Sequence, residues 1–323
     1  MKRFHIMPMG LASLALVSCQ GNDFQSALHP ASGPAREIAW LWWLMVAVYG
    51  AVFAGTLGLA AWAIFKRGKQ DGQPPGGSMR FVVIAGIVVP SVILIAMLVQ
   101  SLRTNSSVSA PETAFTIELT GYRWWWDVRY ADQEIDSANE IRIPVGVPVA
   151  IELLSADVIH SFWVPNLHGK MDMMPDHMNR FWLRADRPGI FRGVCAEFCG
   201  QQHALMGIDV IAMPREEFDA WVASRQVPPD IPDVSRGRDI FFNSGCAACH
   251  TIGGTAAIAN LGPDLTWLAE RRTLAASTLP NTPENLGLWI ANPQWVKPGN
   301  LMPPTDLAPA ELGALVEFLQ TLR

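Results

Sequence analysis

The chain has 323 residues, half of them hydrophobic and only 16% charged, with a formal net charge of −5. That length serves two or three small domains, the apolar fraction calls for a membrane component, and the acidic balance speaks against nucleic acid as a partner. The charge is uneven: residues 111–232 hold 18 Asp/Glu against 10 Lys/Arg, and residues 235–323 hold 7 against 6. An acidic segment of this kind is either a solvated face or a surface that speeds the approach of a basic protein.

Lys2 and Arg3 precede a short apolar run ending Leu16-Val17-Ser18-Cys19. A basic start, an apolar core too short to span a bilayer, and small residues before a cleavage point predict a secretory signal over residues 1–18. The closing residues resemble a bacterial lipoprotein signal, which implies a lipid-bearing Cys19 heading a linker, residues 19–37. The alternative is an uncleaved signal with an incidental cysteine. Residues 38–65 and 81–102 are uncharged runs of 28 and 22 residues. Each exceeds the ~20 residues that cross a hydrocarbon core, so residues 38–103 are expected to form a two-helix transmembrane hairpin. Lys66, Arg67, Lys69 and Arg80 lie in the connecting loop, and only Arg103 closely follows the second run. The loop is therefore expected inside, with everything after about residue 103 outside. Trp40, Trp42 and Trp43 fall at the outer interface. Neither run contains an Asp, Glu, His, Lys or Arg, so no proton path is expected through these two helices alone.

Residues 111–225 predict a β-sandwich. Short alternating segments (Phe115 to Thr120, Val147 to Leu153, Phe181 to Arg184, Gly207 to Met213) are punctuated by Pro and Gly, and such runs argue for antiparallel strands. Residues 214–225 predict a closing helix. Just before the last strand stands Cys195-Ala-Glu-Phe-Cys199-Gly-Gln-Gln-His203-Ala-Leu-Met206, with two thiols, an imidazole and a thioether at spacings of four, four and three. Soft sulfur with imidazole suits copper. With two copper ions, both thiolates bridge, each metal takes one imidazole, and Met206 is a weak axial ligand. The second imidazole comes from His160, His168 or His177. His160 is preferred, because it ends the strand-like Asp157-Val-Ile-His160 where a sandwich delivers side chains to one edge. A disulfide between Cys195 and Cys199 would leave His203 and Met206 without purpose, and zinc would have no use for Met206.

Ser155-Ala-Asp-Val-Ile-His160-Ser-Phe-Trp-Val-Pro165, Gly121-Tyr-Arg-Trp124-Trp-Trp126, the cysteine loop and the two-span hairpin together resemble subunit II of cytochrome c oxidase, over residues 38 to about 213. The resemblance implies a cupredoxin-like copper domain over 111–225 and a binuclear copper A centre. By that likeness its ligands are His160, Cys195, Glu197 (through its backbone carbonyl), Cys199, His203 and Met206. It also implies a magnesium ion facing the Glu197 carboxylate at the border with subunit I, an acidic residue Asp172 near that border, and Trp124 as the place where electrons arrive. Two departures stand out. Relatives often carry a Glu seven residues before the second-span Pro, where Pro90 counts back to Val83 here. Relatives also follow the Asp172 position with Pro-Gly-Arg, where this chain has Pro175-Asp176-His177.

Residues 226–234 read as a stiff Pro-rich linker, and residues 235–323 as a further domain. Arg236 to Asn243 predicts a short helix leading into Cys246-Ala-Ala-Cys249-His250, the attachment signature of a covalent haem c. His250 is the expected axial ligand. After it the chain has no further His and a single Met, Met302, which becomes the expected sixth ligand, with Lys297 the weak competitor. A His/Met pair suits electron transfer rather than oxygen chemistry. Helices expected at 284–291 and 308–322 give an all-α domain that resembles class I cytochrome c.

The expected function is electron delivery. Electrons pass from an external donor, such as a soluble cytochrome c or quinol–cytochrome c reductase, through haem c and copper A to subunit I of a proton-pumping oxidase, with subunit III as a further neighbour. The site is the outer, periplasmic face of a bacterial inner membrane. The same module in a membrane nitric oxide reductase, or a non-enzymatic copper-binding lipoprotein, are the competing readings.

Overall fold

A computed structural model describes residues 23–66, 79–227, 229–231 and 235–323. The expected signal with Cys19, the loop cations Arg67 and Lys69, and positions 228 and 232–234 of the expected linker lie outside the described residues.

Helix α1 spans Gly33–Phe65. Ser32 caps it by accepting from the Ala35 N–H at 3.1 Å, and Pro34 sits in the first turn, where its missing N–H costs nothing. Helix α2 spans Met79–Ser107. Its turn Ile84–Val88 is π-helical. Pro90 lies two residues beyond; it has no N–H for the carbonyl four residues back, and the ladder widens there. Both helices are long and apolar enough to cross a membrane. Phe53, Leu59, Ile64 and Ile95, each more than 60% exposed, turn apolar surface outward.

The feet of these helices grip the next domain. Arg36 Nη1 pairs with Asp186 Oδ2 at 2.7 Å, Ser32 Oγ donates to the Leu167 carbonyl, and Trp182 Nε1 donates to the Val108 carbonyl at 3.1 Å.

Ten strands follow: β1 (Thr116–Tyr122), β2 (Trp125–Tyr130), β3 (Ile135–Ala138), β4 (Glu140–Pro144), β5 (Val149–Ser155), β6 (His160–Trp163), β7 (Lys170–Met173), β8 (Asn179–Leu183), β9 (Gly189–Cys195) and β10 (Gly207–Met213). They form two five-stranded sheets, in the orders β3-β2-β1-β5-β8 and β4-β10-β9-β6-β7. The expectation of a purely antiparallel sandwich is corrected here: β1 runs parallel to β5, and β4 parallel to β10. Alternation of side chains has the same period in either direction, so it could not reveal these two pairings. Strands β1 and β5 each alternate buried and half-buried residues. The buried set (Ile117, Leu119, Trp126, Val128, Ile151, Leu153, Phe162, Phe191 and their neighbours) forms one core that also contains Cys195, Cys199 and Met206. Helix α3 (Arg215–Arg225) covers an edge, with Phe218 in the core and Trp221 edge-on to Tyr130 at 5.1 Å.

The C-terminal domain contains α4 (Arg236–Asn243), a hairpin of β11 (Thr273–Leu274) and β12 (Leu279–Pro280), α5 (Pro283–Ala291), α6 (Pro293–Val296) and α7 (Pro309–Leu319). Its helices accord with the all-α expectation, to which the short hairpin is an addition. Gly237 lets α4 and α7 cross closely: a Cβ there would lie 2.1 Å from the Ala314 carbonyl oxygen. Phe241, Leu315, Phe318 and Leu319 close the core at this crossing.

This domain sits against the sandwich. Gly207 N–H donates to the Ala276 carbonyl at 3.0 Å, Arg192 Nη1 to the Ser277 carbonyl at 2.7 Å, and Arg272 N–H to Glu140 Oε1 at 2.6 Å. Arg225 pairs with Glu270 and lies over the Trp267 ring, 4.2 Å from its centroid.

Candidate functional site

The cysteine loop is the connection between antiparallel strands β9 and β10, closed by the Cys195 N–H donating to the Met206 carbonyl at 3.1 Å. Strand β6 pairs with β9 so that Phe162 stands opposite Cys195, and the Ala196 N–H donates to the Ser161 carbonyl at 2.8 Å. That register sets His160 beside the loop. His160 opens strand β6 rather than ending a strand, and it is fully buried. Gly121 makes the room: a Cβ there would lie 2.9 Å from His160 Cδ2.

The side chains expected as ligands converge. Cys195 Sγ lies 3.8 Å from His160 Nδ1 and 3.7 Å from Cys199 Sγ. Cys199 Sγ lies 3.7 Å from His203 Nδ1 and 3.8 Å from Met206 Sδ. The Glu197 carbonyl points inward and accepts from Cys195 Sγ at 3.1 Å. The two sulfurs are far beyond the ~2.05 Å of a disulfide, and both are free thiols. His160, Cys195 and Cys199 place one ligand atom each within 4.8 Å of one another. The other two histidines weighed for this place stand apart: His168 is packed at 4.5 Å against Phe181, and His177 is exposed.

The electrostatics fit a metal pair. Hydrogen bonding from Cys199 holds the Cys195 thiol well below its usual range, with His160 adding to the effect. The same contact, with burial, pushes Cys199 upward. The two buried sulfurs thus share one proton between them, and soft cations held there would stabilise both as thiolates. Burial opposes protonation of His160, while Cys195 and Asp157 favour it and prevail.

Asp157 is a site residue that the sequence reading quoted but gave no role. Its Oδ1 lies 2.9 Å from His160 Nε2, and its carboxylate also accepts from the Val158 and Arg123 N–H groups at 2.7 and 2.8 Å. It leaves Nδ1 facing the sulfur, as a carboxylate behind a metal-binding imidazole does. The available signal was the three-residue spacing in Asp157-Val-Ile-His160.

Trp124 Nε1 donates to the Cys199 carbonyl at 3.0 Å, so its indole lies directly on the loop. Trp126 is buried, while Trp125 stacks on Tyr122 at 4.6 Å. Glu197 is half-exposed, its carboxylate 4.0 Å from Lys170 Nζ, and Asp172 is exposed on β7.

In the C-terminal domain His250 Nδ1 donates to the Pro263 carbonyl at 2.8 Å, which leaves Nε2 free for a metal. Gly262 admits the ring, since a Cβ there would lie 2.6 Å from His250 Cε1. Cys246 and Met302 pack against the same core, and Cys246 and Cys249 are free thiols. Ile258, Leu261, Trp295 and Leu301 are apolar side chains 72–82% exposed in this domain. Lys297 Nζ is taken by the carbonyls of Trp124 at 2.9 Å and Ala275 at 3.3 Å, so the weak competitor to Met302 is engaged elsewhere.

Comparison with known proteins agrees with this division. Residues 133–213 match the model of the cytochrome c oxidase subunit II periplasmic domain, and residues 234–323 match that of cytochrome c. Cytochrome c oxidase subunit 2 of Alkalihalophilus pseudofirmus is 33% identical, covering 98% of this chain and 96% of its own. The Bacillus sp. strain PS3 protein of the same name is 29% identical over 97% and 96%. The crystal structure of the periplasmic domain of subunit II of the Bradyrhizobium japonicum oxidase is similar at 33% identity and a TM-score of 0.35, covering 36% of this chain and 97% of that one. With a relative this similar along nearly the whole of both chains, and two domain models matched in order, the chain belongs to the cytochrome c oxidase subunit II family, in a form that carries a cytochrome c domain at its C-terminal end.

Proposed function

We propose that this chain is the electron-receiving subunit of a proton-pumping terminal oxidase, taking electrons from an external donor such as soluble cytochrome c or quinol–cytochrome c reductase and delivering them, by haem c and copper A, to subunit I, where oxygen is reduced to water. The observation that carries the reading is the buried sulfur pair 3.7 Å apart, with one imidazole at 3.7–3.8 Å from each sulfur. Bound copper and haem supply one-electron acceptance and release.

The chain's own residues do the rest. Cys195, Cys199, His160, His203, Met206 and the Glu197 carbonyl would hold the two coppers, which would supply one-electron transfer there. Asp157 fixes the His160 ring, and the packed core keeps water from the cage. Cys246, Cys249, His250 and Met302 would hold the haem, the two thiols by its attachment and the other two by its iron. Trp124 is the contact through which electrons arrive. The Glu197 carboxylate, beside Lys170, would help hold a magnesium ion at the border with subunit I, and subunit III would lie further out. Helices α1 and α2 hold the chain in a bacterial inner membrane with both soluble domains on the periplasmic face. The signal of residues 1–18 is removed, and Cys19 is lipidated. Proton uptake does not begin at Val83, and so belongs to subunit I.

Metal analysis and rapid reduction of the purified complex test this. Two coppers and one covalent haem per chain are expected, with haem c oxidised by copper before the haem of subunit I is reduced. A single copper per chain, or reduction of subunit I haem at an unchanged rate in a copper-free variant, refutes the assignment. Turnover of oxygen rather than nitric oxide by the same complex fixes the terminal reaction.

A further inference from the structure

Lys297 is a lysine only 3% exposed at the junction of the two soluble domains. An ammonium taken out of water needs acceptors, and it has one from each side: the Trp124 carbonyl of the sandwich at 2.9 Å and the Ala275 carbonyl of its own domain at 3.3 Å. Trp124 in turn donates to the Cys199 carbonyl. On the other side, Asn300 Nδ2 donates to the Lys297 carbonyl at 2.7 Å, and the Met302 N–H donates to Asn300 Oδ1 at 2.9 Å. A continuous series of hydrogen bonds and short chain segments therefore runs from Cys199 to Met302, through Trp124 and Lys297.

Two further contacts hold the same loops together. Gln202 Nε2 donates to the Pro298 carbonyl. Gly299 has φ of 85°, and a Cβ there would lie 2.3 Å from Gln201 Oε1.

The partner segment is strained. Ala275, Ala276 and Ser277 all have left-handed φ values of 53°, 55° and 62°, a conformation that crowds a Cβ against the backbone. Strain of this kind persists where the surroundings over-determine it. All three carbonyls are indeed taken, Ala275 by Lys297 Nζ, Ala276 by the Gly207 N–H, and Ser277 by Arg192 Nη1. Gly207 is the residue after Met206, so the cysteine loop is gripped at its Trp124 side and at its far end.

We infer that Lys297 is a positioning residue: it latches the Met302 loop onto Trp124, and so fixes the C-terminal domain over the cysteine loop instead of leaving it to swing on its linker. The latch itself is independent of any bound group, but its consequence for electron transfer rests on the copper and haem reading above.

The test is Lys297→Met in the full chain within the purified complex. Lys297→Met removes the hydrogen bonds its Nζ gives to both domains, so amide exchange in peptides spanning Gly207 rises about fivefold. With both optical signatures retained, electron passage from haem c to copper after a photoreduction pulse slows. Arg192→Lys, which keeps a cation beside Asp209 but loses the arm reaching Ser277, raises the same exchange without touching Lys297. Unchanged exchange at Gly207 in Lys297→Met overturns the latch. Faster exchange with an unchanged transfer rate overturns the positioning role. Absence of copper and covalent haem from the unaltered chain refutes the site assignment instead, and exchange at Gly207 then decides the latch alone.

Discussion

Asp127 on β2 offers a pH test of how the two soluble domains meet. Burial pushes its carboxyl up from 3.8 to about 6, with Asp136 on β3 and Asp264 of the C-terminal domain adding to the effect, against the opposing influence of Arg271 and Arg129. A carboxyl whose pKa is higher folded than unfolded binds its proton more tightly in the native state. The native state is therefore penalised when the group ionises. The penalty is absent below 3.8, grows between 3.8 and 6, and is full above 6. Two units of difference at 1.36 kcal/mol each give a ceiling of about 3 kcal/mol. The side chain is only partly buried, so solvent screening brings the expectation to about 1–2 kcal/mol. Asp127→Asn removes the charge. Thermal unfolding of the full chain at about pH 7.5 should show a midpoint raised by about 2–8 °C. Most of that gain should vanish at about pH 4.5, where the native carboxyl is already protonated. A destabilised variant at the higher pH, or an equal gain at both, would refute the reasoning. Asp264→Asn should shift Asp127 downward and deliver part of the same gain, because its carboxylate is one of the neighbours raising Asp127.

Gly237→Ala should unseat the crossing of α4 and α7, since the new Cβ meets backbone oxygen at 2.1 Å and Phe318 Cβ at 2.5 Å. Overpacking costs about 1–3 kcal/mol, occasionally more, and the check is loss of thermal stability in the C-terminal domain, with no change at all sinking the prediction. Asp157→Asn keeps the carbonyl that caps Val158 but removes the charge behind His160. It should weaken copper retention by about 10–100-fold, read as copper content after chelator competition, and an unaltered content would show that the ring needs no such partner.

Much of the architecture was legible because its signals are local. A run of more than ~20 apolar residues is long enough to cross a membrane as a helix wherever it occurs, and α1 merely begins five residues earlier than the run, at a Ser cap that admits Arg36 and Glu37 outside the apolar stretch. Helix α4 was bounded at Arg236 and Asn243 by the same kind of signal. The strands were only half visible. The segments that became β1 and β5 alternate cleanly, whereas β8 and β10 are buried over three and four successive positions, and β6, with four residues, is buried at three of them, so periodicity had little to act on.

The sequence by itself determined which atoms would gather. The spacing of Cys195, Cys199, His203 and Met206 lies within one strand-to-strand connection, and a loop that short can only fold its sulfur and nitrogen atoms together. The single Met after His250 likewise narrowed the expected partner of that imidazole to Met302, with Lys297 the weak competitor. Tertiary structure alone decided the rest, because it depends on residues far apart in the chain. His160 reaches Cys195 only through the β6–β9 ladder and the space left by Gly121. Lys297 finds the Trp124 carbonyl across 173 positions. Direction of strand pairing, docking of one domain on another and the left-handed turn at 275–277 are all fixed by hydrogen bonds between such distant groups, and no local pattern of side chains encodes them.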